Sequence, residues 1–311
     1  MSAADSADAV AADDGTGTGA GRDVVAVVVT FSAPDDLTAC VESIERGGDV
    51  DHVVVVDNGG ASTLHGHERR SVLRPDHNAG FGAGANAGFG AARRLGARVV
   101  VLLNDDVVVT DGWLAPLLAE LEGDERIGAV QPMLTLAGTD PVQVNSLGVS
   151  IGADGAGNDI GIGRPATDVD PAPHDIEVFT GGAVAFRRSF LDATGGFDER
   201  YFLYYEDVDL ARRGARAGWR YRCAPASVVE HRKGASTSAL GDRTVYLRER
   251  NRLWSAFRNE PWRTVRGAVW LSIRRLRHPP RLVHAKALLA GVAGGLTRLA
   301  WRLTSRSDSG V

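Results

Sequence analysis

The apolar pattern begins at residues 24–29, six consecutive Val and Ala positions that suit a strand buried on both faces. Ser32-x-x-Asp35 follows, with Pro34 in the first turn, and both features are helix-opening signals. Leu37, Cys40, Val41 and Ile44 then recur at helical spacing until Gly47-Gly48 stops the element. Further buried strands are predicted at 53–56 and 99–103, with a short strand near Val72 and a helix over 83–95 between them. Trp113, Leu114, Leu117, Leu118 and Leu121 form the next helical face. Strands alternating with helices in this rhythm predict an α/β fold with a mostly parallel sheet.

The second half reads differently. Strands are expected at 129–134, 142–151 and 176–186, around a Gly/Asp/Pro-rich loop at 152–173. Helices follow near 188–194 and at 206–217, then strands at 219–223 and 227–230, and from Thr244 onward the pattern is helical and basic. No internal repeat is visible.

Composition narrows the class. Hydrophobic residues make up 44% and charged residues 24%, enough for a sizeable core, which excludes collagen, a coiled-coil rod and a wholly disordered chain. Two cysteines, Cys40 and Cys223, exclude a disulfide-stapled scaffold and a four-cysteine zinc module. Residues 1–22 have almost nothing to bury and read as a disordered acidic tail. That acidic start is unlike a secretory leader, and no uncharged run of eighteen apolar residues occurs, so the expected location is cytoplasmic.

The net charge of −4 is unevenly spread, since residues 261–311 carry nine arginines and Lys286 against Asp308 alone. Trp262, Val265, Val269, Ile273 and Leu276 share one helical face flanked by Arg263, Arg274 and Arg277, and the apolar stretch 282–303 is broken by His284, Lys286 and Arg298. Residues 259–311 therefore read as a basic amphipathic helical extension. Three partners suit it: an anionic membrane surface, on the cytoplasmic face of the cell membrane; the domain at 23–258; or a second subunit. No nucleic-acid partner is expected, and the oligomeric state is not legible.

In sheets of this kind ligands bind beyond the carboxyl ends of the strands. Those ends carry Thr30-Phe31-Ser32, Asp57-Asn58-Gly59 and Asn104-Asp105-Asp106. Adjacent acids at a strand end repel unless a cation is present, and Mg²⁺-like ions take oxygen ligands shared with substrate phosphates. The bland alternative is a helix cap or a solvated turn. Farther on, Tyr201-Phe202-Leu203-Tyr204-Tyr205 leads into Glu206, Asp207 and Asp209 at a helix start. One acid there serves as a cap, whereas three beside a wall of rings suit a general base tuned by partial desolvation. His231 ends another β-branched run, a position more often held by an ordinary satisfied histidine, so its weight depends on its neighbours. Gly82-x-Gly84-x-x-Ala87 matches a dinucleotide fingerprint, but no full strand runs into it, which argues against a dehydrogenase.

Taken in order, these motifs resemble the family 2 glycosyltransferases, in particular the rhamnosyltransferase-like branch. The resemblance covers roughly residues 24–254. It rests on Val29-Thr30-Phe31-Ser32, Val55-Val56-Asp57-Asn58-Gly59, Asn78-x-Gly80-Phe81-Gly82 with Asn86, Leu103-Asn104-Asp105-Asp106, the segment from Gly195 through Tyr204-Tyr205-Glu206-Asp207-Val208-Asp209, His231, and Arg250-Asn251-Arg252. It implies a GT-A fold: a Rossmann-like, mostly parallel central sheet, a small antiparallel acceptor-side portion and C-terminal helices. It implies inverting transfer of a sugar from a nucleotide-diphospho-sugar donor to a saccharide or lipid-linked saccharide acceptor.

Carried onto this sequence, the resemblance implies that Asp57 contacts the nucleoside and that Thr30 and Phe31 shape the base pocket. Asn78, Asn86, Asn104 and Asp105 belong to the donor side. Asp106 and His231 hold Mg²⁺ or Mn²⁺ on the diphosphate, Asp207 is the base, and Glu206 orients hydroxyls. Asn104 stands where the family has the first acid of its metal motif, and Thr-Phe-Ser stands where it has Thr-Tyr-Asn. The alternatives are a sugar-phosphate nucleotidyltransferase and a non-catalytic sugar-nucleotide-binding protein. The first needs a glycine-rich basic loop that residues 30–36 lack. The second is expected to lose the base or the histidine, and both are present.

Overall fold

A computed structural model describes residues 23–60, 62–232 and 241–304, so the acidic tail expected at 1–22 lies outside the described residues. The N-terminal half runs β1 (Val24–Thr30), α1 (Pro34–Gly47), β2 (His52–Asp57), β3 (Arg70–Leu73), α2 (Phe81–Arg94), β4 (Val99–Asn104), β5 (Val107–Val109) and α3 (Leu114–Gly123). Strands β6 (Ile127–Leu136), β7 (Gln143–Ser146), β8 (Val149–Ile151), β9 (Gly157–Asp159), β10 (His174–Ile176) and β11 (Ala183–Arg187) follow. Helices α4 (Arg188–Thr194) and α5 (Glu206–Arg216), strand β12 (Arg220–His231), and helices α6 (Asp242–Asn259), α7 (Trp262–Arg275) and α8 (Arg281–Thr304) complete the chain.

The main sheet has the order β10-β12-β6-β11-β4-β1-β2-β3, with β5 on β12 and β7 on β6. Strands β4, β1, β2 and β3 pair in parallel, as the βαβ rhythm predicts, and β11 runs antiparallel between β4 and β6. Alternation along β1 explains its unbroken apolar run. Val25, Val27 and Val29 pack with Phe89, Phe186 and Phe197 on one side of the sheet. Val24, Ala26 and Val28 pack with Leu37, Val41 and Leu117 on the other. Successive strand side chains point to opposite faces, so a strand covered on both faces must be apolar throughout.

Several boundaries differ from expectation for local reasons. The strand expected at 142–151 breaks into β7 and β8 at Gly148, whose φ of 124° is open only to glycine at low cost. Of the strand expected at 176–186, residues 177–182 lie outside any strand, β10 ending at Ile176 and β11 beginning at Ala183. The two strands expected at 219–230 are one, bent by a register shift between Ala224 and Val228. The 152–173 loop contains β9, which closes a hairpin on β8.

Helix α7 buries only part of the apolar face read for it. Its buried residues are Thr264, Val265, Ala268 and Ser272, while Trp262 and Ile273 stand exposed. Small side chains make this contact because the helix approaches closely: a Cβ on Gly267 would lie 2.2 Å from the Ala153 carbonyl oxygen. Helix α8 seats on α6 in the same way. Added Cβ atoms on Gly291, Gly294 and Gly295 would strike Leu253, Trp254 and Phe257 at 2.3–2.4 Å.

Candidate active site

Parallel pairing sets the polar ends of three strands side by side, with Thr30 opposite Asp57 and Val29 opposite Asn104. Thr30 Oγ1 donates to Asp105 Oδ2 at 2.6 Å. Burial pushes the Asp105 carboxyl up to about 6, with repulsion from Asp106 in the same direction and the Thr30 bond against it. Asn58 Nδ2 donates to Asn78 Oδ1 and to the Gly80 carbonyl, both at 2.9 Å. Gly80 has φ of 99°, and a Cβ there would lie 2.4 Å from the Phe202 oxygen, so only glycine lets the chain pass so close. These groups wall a cavity of about 140 Å³ lined by Thr30, Phe31, Asn58, Asn78, Asp105 and Phe202 among others.

A larger cavity of about 710 Å³ adjoins it, because Asn104 and Asp106 line both. Strand β5 pairs antiparallel with β12 so that His231 lies opposite Val107, the residue after Asp106. His231 Nε2 consequently lies 3.1 Å from Asp106 Oδ2. Its Nδ1 is 2.6 Å from Asn145 Oδ1, a contact that fixes the ring with Nε2 facing the carboxylate. A positive charge at this contact, on the ring or on a bound cation, would balance the carboxylate. Asp106 Oδ1 is buried with no hydrogen-bond partner.

Glu206 and Asp207 open α5, where the helix dipole favours carboxylates. The chain reaches them through Phe202, Tyr204 and Tyr205, all left-handed with φ of 67–70°. Such a conformation costs about 1–2 kcal/mol per residue, so the segment needs bonds that only this shape makes. Asn251 supplies them. Its buried amide donates to the carbonyls of Tyr201, Leu203 and Tyr204 at 2.8–2.9 Å.

Asp207 Oδ2 accepts from Gly181 N at 3.1 Å, and its Oδ1 accepts from Val208 N at 2.7 Å. Burial raises its pKa, and nearby Asp159 adds to the rise, while the two backbone donors oppose it. Burial, then repulsion from Asp207, pushes Glu206 up to about 8, and its Oε2 is a buried atom without a partner. Both causes favour the neutral carboxyl, a form that can donate as well as accept.

The structure brings Thr30, Phe31, Asn78, Asn104, Asp105, Asp106, Glu206, Asp207 and His231 onto the walls of these adjoining cavities. Two expected residues are not on those walls. The Asp57 carboxylate turns into its own turn, accepting from Gly60 N at 2.7 Å and Ser62 N at 3.0 Å, and Asn58 lines the cavity in its place. Asn86 joins α2 to the backbone of Phe197, donating to its carbonyl and accepting from its N–H. Asn145 and Asp159 line the larger cavity unannounced, being single polar residues in short strands with no motif around them. Arg248, Arg252 and Arg275 line it too.

The donor set fits a hard divalent cation. Ligand atoms of an octahedral ion with bonds of about 2.1 Å stand about 3 Å apart, close to the Asp106–His231 separation. Among the described residues no group of three or more His, Cys, Asp or Glu is arranged for a metal. A cation here would therefore take its remaining ligands from a substrate and from water, the usual arrangement for Mg²⁺ at phosphates.

Comparison with solved structures agrees on architecture. A crystal structure of GalNAc-T7 with UDP, GalNAc and Mn²⁺ matches with a TM-score of 0.62 at 15% identity, covering 91% of this chain and 57% of that one. Staphylococcus aureus TarS 1–349 matches with a TM-score of 0.50 at 12% identity, covering 92% of each chain. The fold is that of the GT-A glycosyltransferases.

Two Mycobacterium tuberculosis proteins are similar in sequence. The N-acetylglucosaminyl-diphospho-decaprenol L-rhamnosyltransferase is 42% identical over 69 residues, 22% of each chain. The pre-mycofactocin glycosyltransferase is 29% identical over 220 residues, 68% of this chain and 43% of its own. The matches thus span less than half the length of either relative. A family model described as glycosyltransferase like family 2 matches residues 21–255, three-quarters of the sequence, and the chain belongs to that family.

Proposed function

We propose that the chain moves a sugar from a nucleotide-diphospho-sugar to an acceptor hydroxyl, inverting the anomeric centre in one in-line displacement. The observation that carries this reading is Asp106 on the shared wall of two cavities, with His231 beside it and Asp207 lining the larger one. The smaller cavity takes the nucleoside between Phe31 and the Thr30–Asp105 pair. The Asp106 carboxylate and the His231 ring would hold Mg²⁺ or Mn²⁺ at the diphosphate. When bound, that ion neutralises charge growing on the departing nucleoside diphosphate.

Asp207 takes the proton from the acceptor hydroxyl as it attacks. Its two backbone donors fix the carboxylate in position, and its raised pKa makes it a stronger base than a solvated aspartate. Glu206, its pKa raised by burial and its Oε2 unpartnered, orients a sugar hydroxyl. The relative named for a diphospho-decaprenol substrate supports a lipid-linked saccharide as acceptor.

Incubation with UDP-, GDP- and dTDP-sugars tests the reading. One nucleotide class is expected to turn over, EDTA to stop it, and added Mn²⁺ or Mg²⁺ to restore it. Turnover indifferent to chelation would contradict the metal assignment, and no turnover of any donor would contradict the transfer reaction.

A further inference from the structure

Helices α7 and α8 carry an unusual surface. Of the ten large apolar side chains left exposed among the described residues, six lie here: Trp262, Trp270, Ile273, Leu282, Leu289 and Leu296. On α8 the three leucines recur every seven residues, so they form one stripe along the helix. That stripe lies opposite the buried Gly291 and Gly295, which rest on Leu253 and Phe257 of α6. On α7, Trp270 lies opposite Ala268 and Ser272, the face packed inward, and Ile273 is exposed one turn along beside it. Both stripes therefore point outward, away from the rest of the molecule.

The charge around them has one sign. No Asp or Glu occurs between residues 261 and 304. Arg263, Arg266, Arg274, Arg277, Arg281 and Lys286 are all exposed, and the Arg274 guanidinium lies 4.7 Å from the centre of the Trp270 ring. Exposed tryptophan, isoleucine and leucine interleaved with cations match the interface between acyl chains and anionic headgroups. No helix among the described residues is long and apolar enough to cross a membrane, so the match is to the surface alone. The face also adjoins the active site, because Arg275 in the last turn of α7 lines the larger cavity.

We infer that the outer face of α7 and α8 docks on an anionic membrane surface, with Trp270, Ile273, Leu282, Leu289 and Leu296 entering the headgroup region and the flanking cations meeting lipid phosphates. An uncharged bilayer lacks the complement for these cations, and a second copy of the chain would bring a face of the same sign against them. Docking requires neither donor nor turnover, so it stands or falls apart from the proposed reaction.

Co-sedimentation of the full chain with vesicles tests this directly. The chain is expected to pellet with phosphatidylglycerol/phosphatidylcholine vesicles at least tenfold more than with phosphatidylcholine alone, and to release as salt rises. A Trp270→Ser/Ile273→Ser/Leu289→Ser variant should lose at least tenfold in partition. An Arg266→Gln/Arg274→Gln/Lys286→Gln variant should lose roughly fivefold per cation. All six positions are exposed, so both variants should melt with the wild type, and the charge variant keeps the test valid if the apolar one does not. Equal binding to both vesicles, no binding, or variants that bind like wild type would overturn the inference. So would a solution dimer, seen by light scattering, that these same substitutions dissociate.

Discussion

Asp207→Asn is expected to lower sugar transfer by roughly 10²–10⁴-fold, the usual contribution of a positioned general base. The carboxylate accepts a backbone N–H at each oxygen, from Gly181 and from Val208. An amide keeps the shape but turns its NH₂ toward one of those donors and can take no proton from an acceptor hydroxyl. Donor affinity, measured by calorimetry with the nucleotide sugar, should stay within about twofold, because Asp207 does not line the smaller cavity.

The pH profile of the wild type supplies a second readout. A base must be deprotonated to work, and burial raises the Asp207 pKa. Activity should therefore climb with pH through a limb lying above the ordinary carboxylate range. Wild-type turnover in the Asn variant would remove Asp207 from this role.

The second large effect is expected at Asn251, which touches no substrate. Asn251→Ala leaves the carbonyls of Leu203 and Tyr204 without that donor, while Tyr201 keeps a bond from Arg250 at 2.9 Å. Each buried carbonyl left unpaired costs about 1–3 kcal/mol, beside a segment already strained at three residues. The thermal midpoint should fall, and hydrogen exchange should quicken at 201–208 while the amides of β1 and β4 keep their protection. Transfer should drop at least tenfold, more through kcat than through KM for the donor, because the loop sets the start of α5 and thus Asp207. A variant with the wild-type midpoint, exchange pattern and kcat would show that the segment holds its own shape.

The sheet was readable because its physics is local. A strand buried on both faces must be apolar at every position, and β1, β2 and β4 announce themselves that way. Asp57, Asp105 and Asp106 draw attention because polar residues at the ends of such strands stand out, whereas His231 takes its weight from its neighbours. An aspartate that binds a ligand and one that caps its own turn look alike in sequence. Asn86 is a similar case, an asparagine spent on holding two backbones together 111 residues apart.

Asn145 and Asp159 escaped because long-range pairing, not spacing, brings them to the cavity. The former reaches His231 across 86 residues, through β7 lying on β6 and β6 on β12. The inward face of α7 was not legible in the sequence because hydrophobic periodicity picks out large side chains, whereas a closely approached backbone selects Gly267, Ala268 and Ser272.

The proposed reaction requires a divalent cation held by Asp106 and His231 where the two cavities meet. Anomalous diffraction from crystals of the chain soaked with Mn²⁺ and a nucleoside diphosphate locates that ion without reference to activity. The expected map has one strong peak within coordination distance of the Asp106 carboxylate and His231 Nε2, absent from crystals of Asp106→Asn. A diphosphate bound in the smaller cavity with no peak beside those two groups, or a peak that survives the substitution, would contradict it.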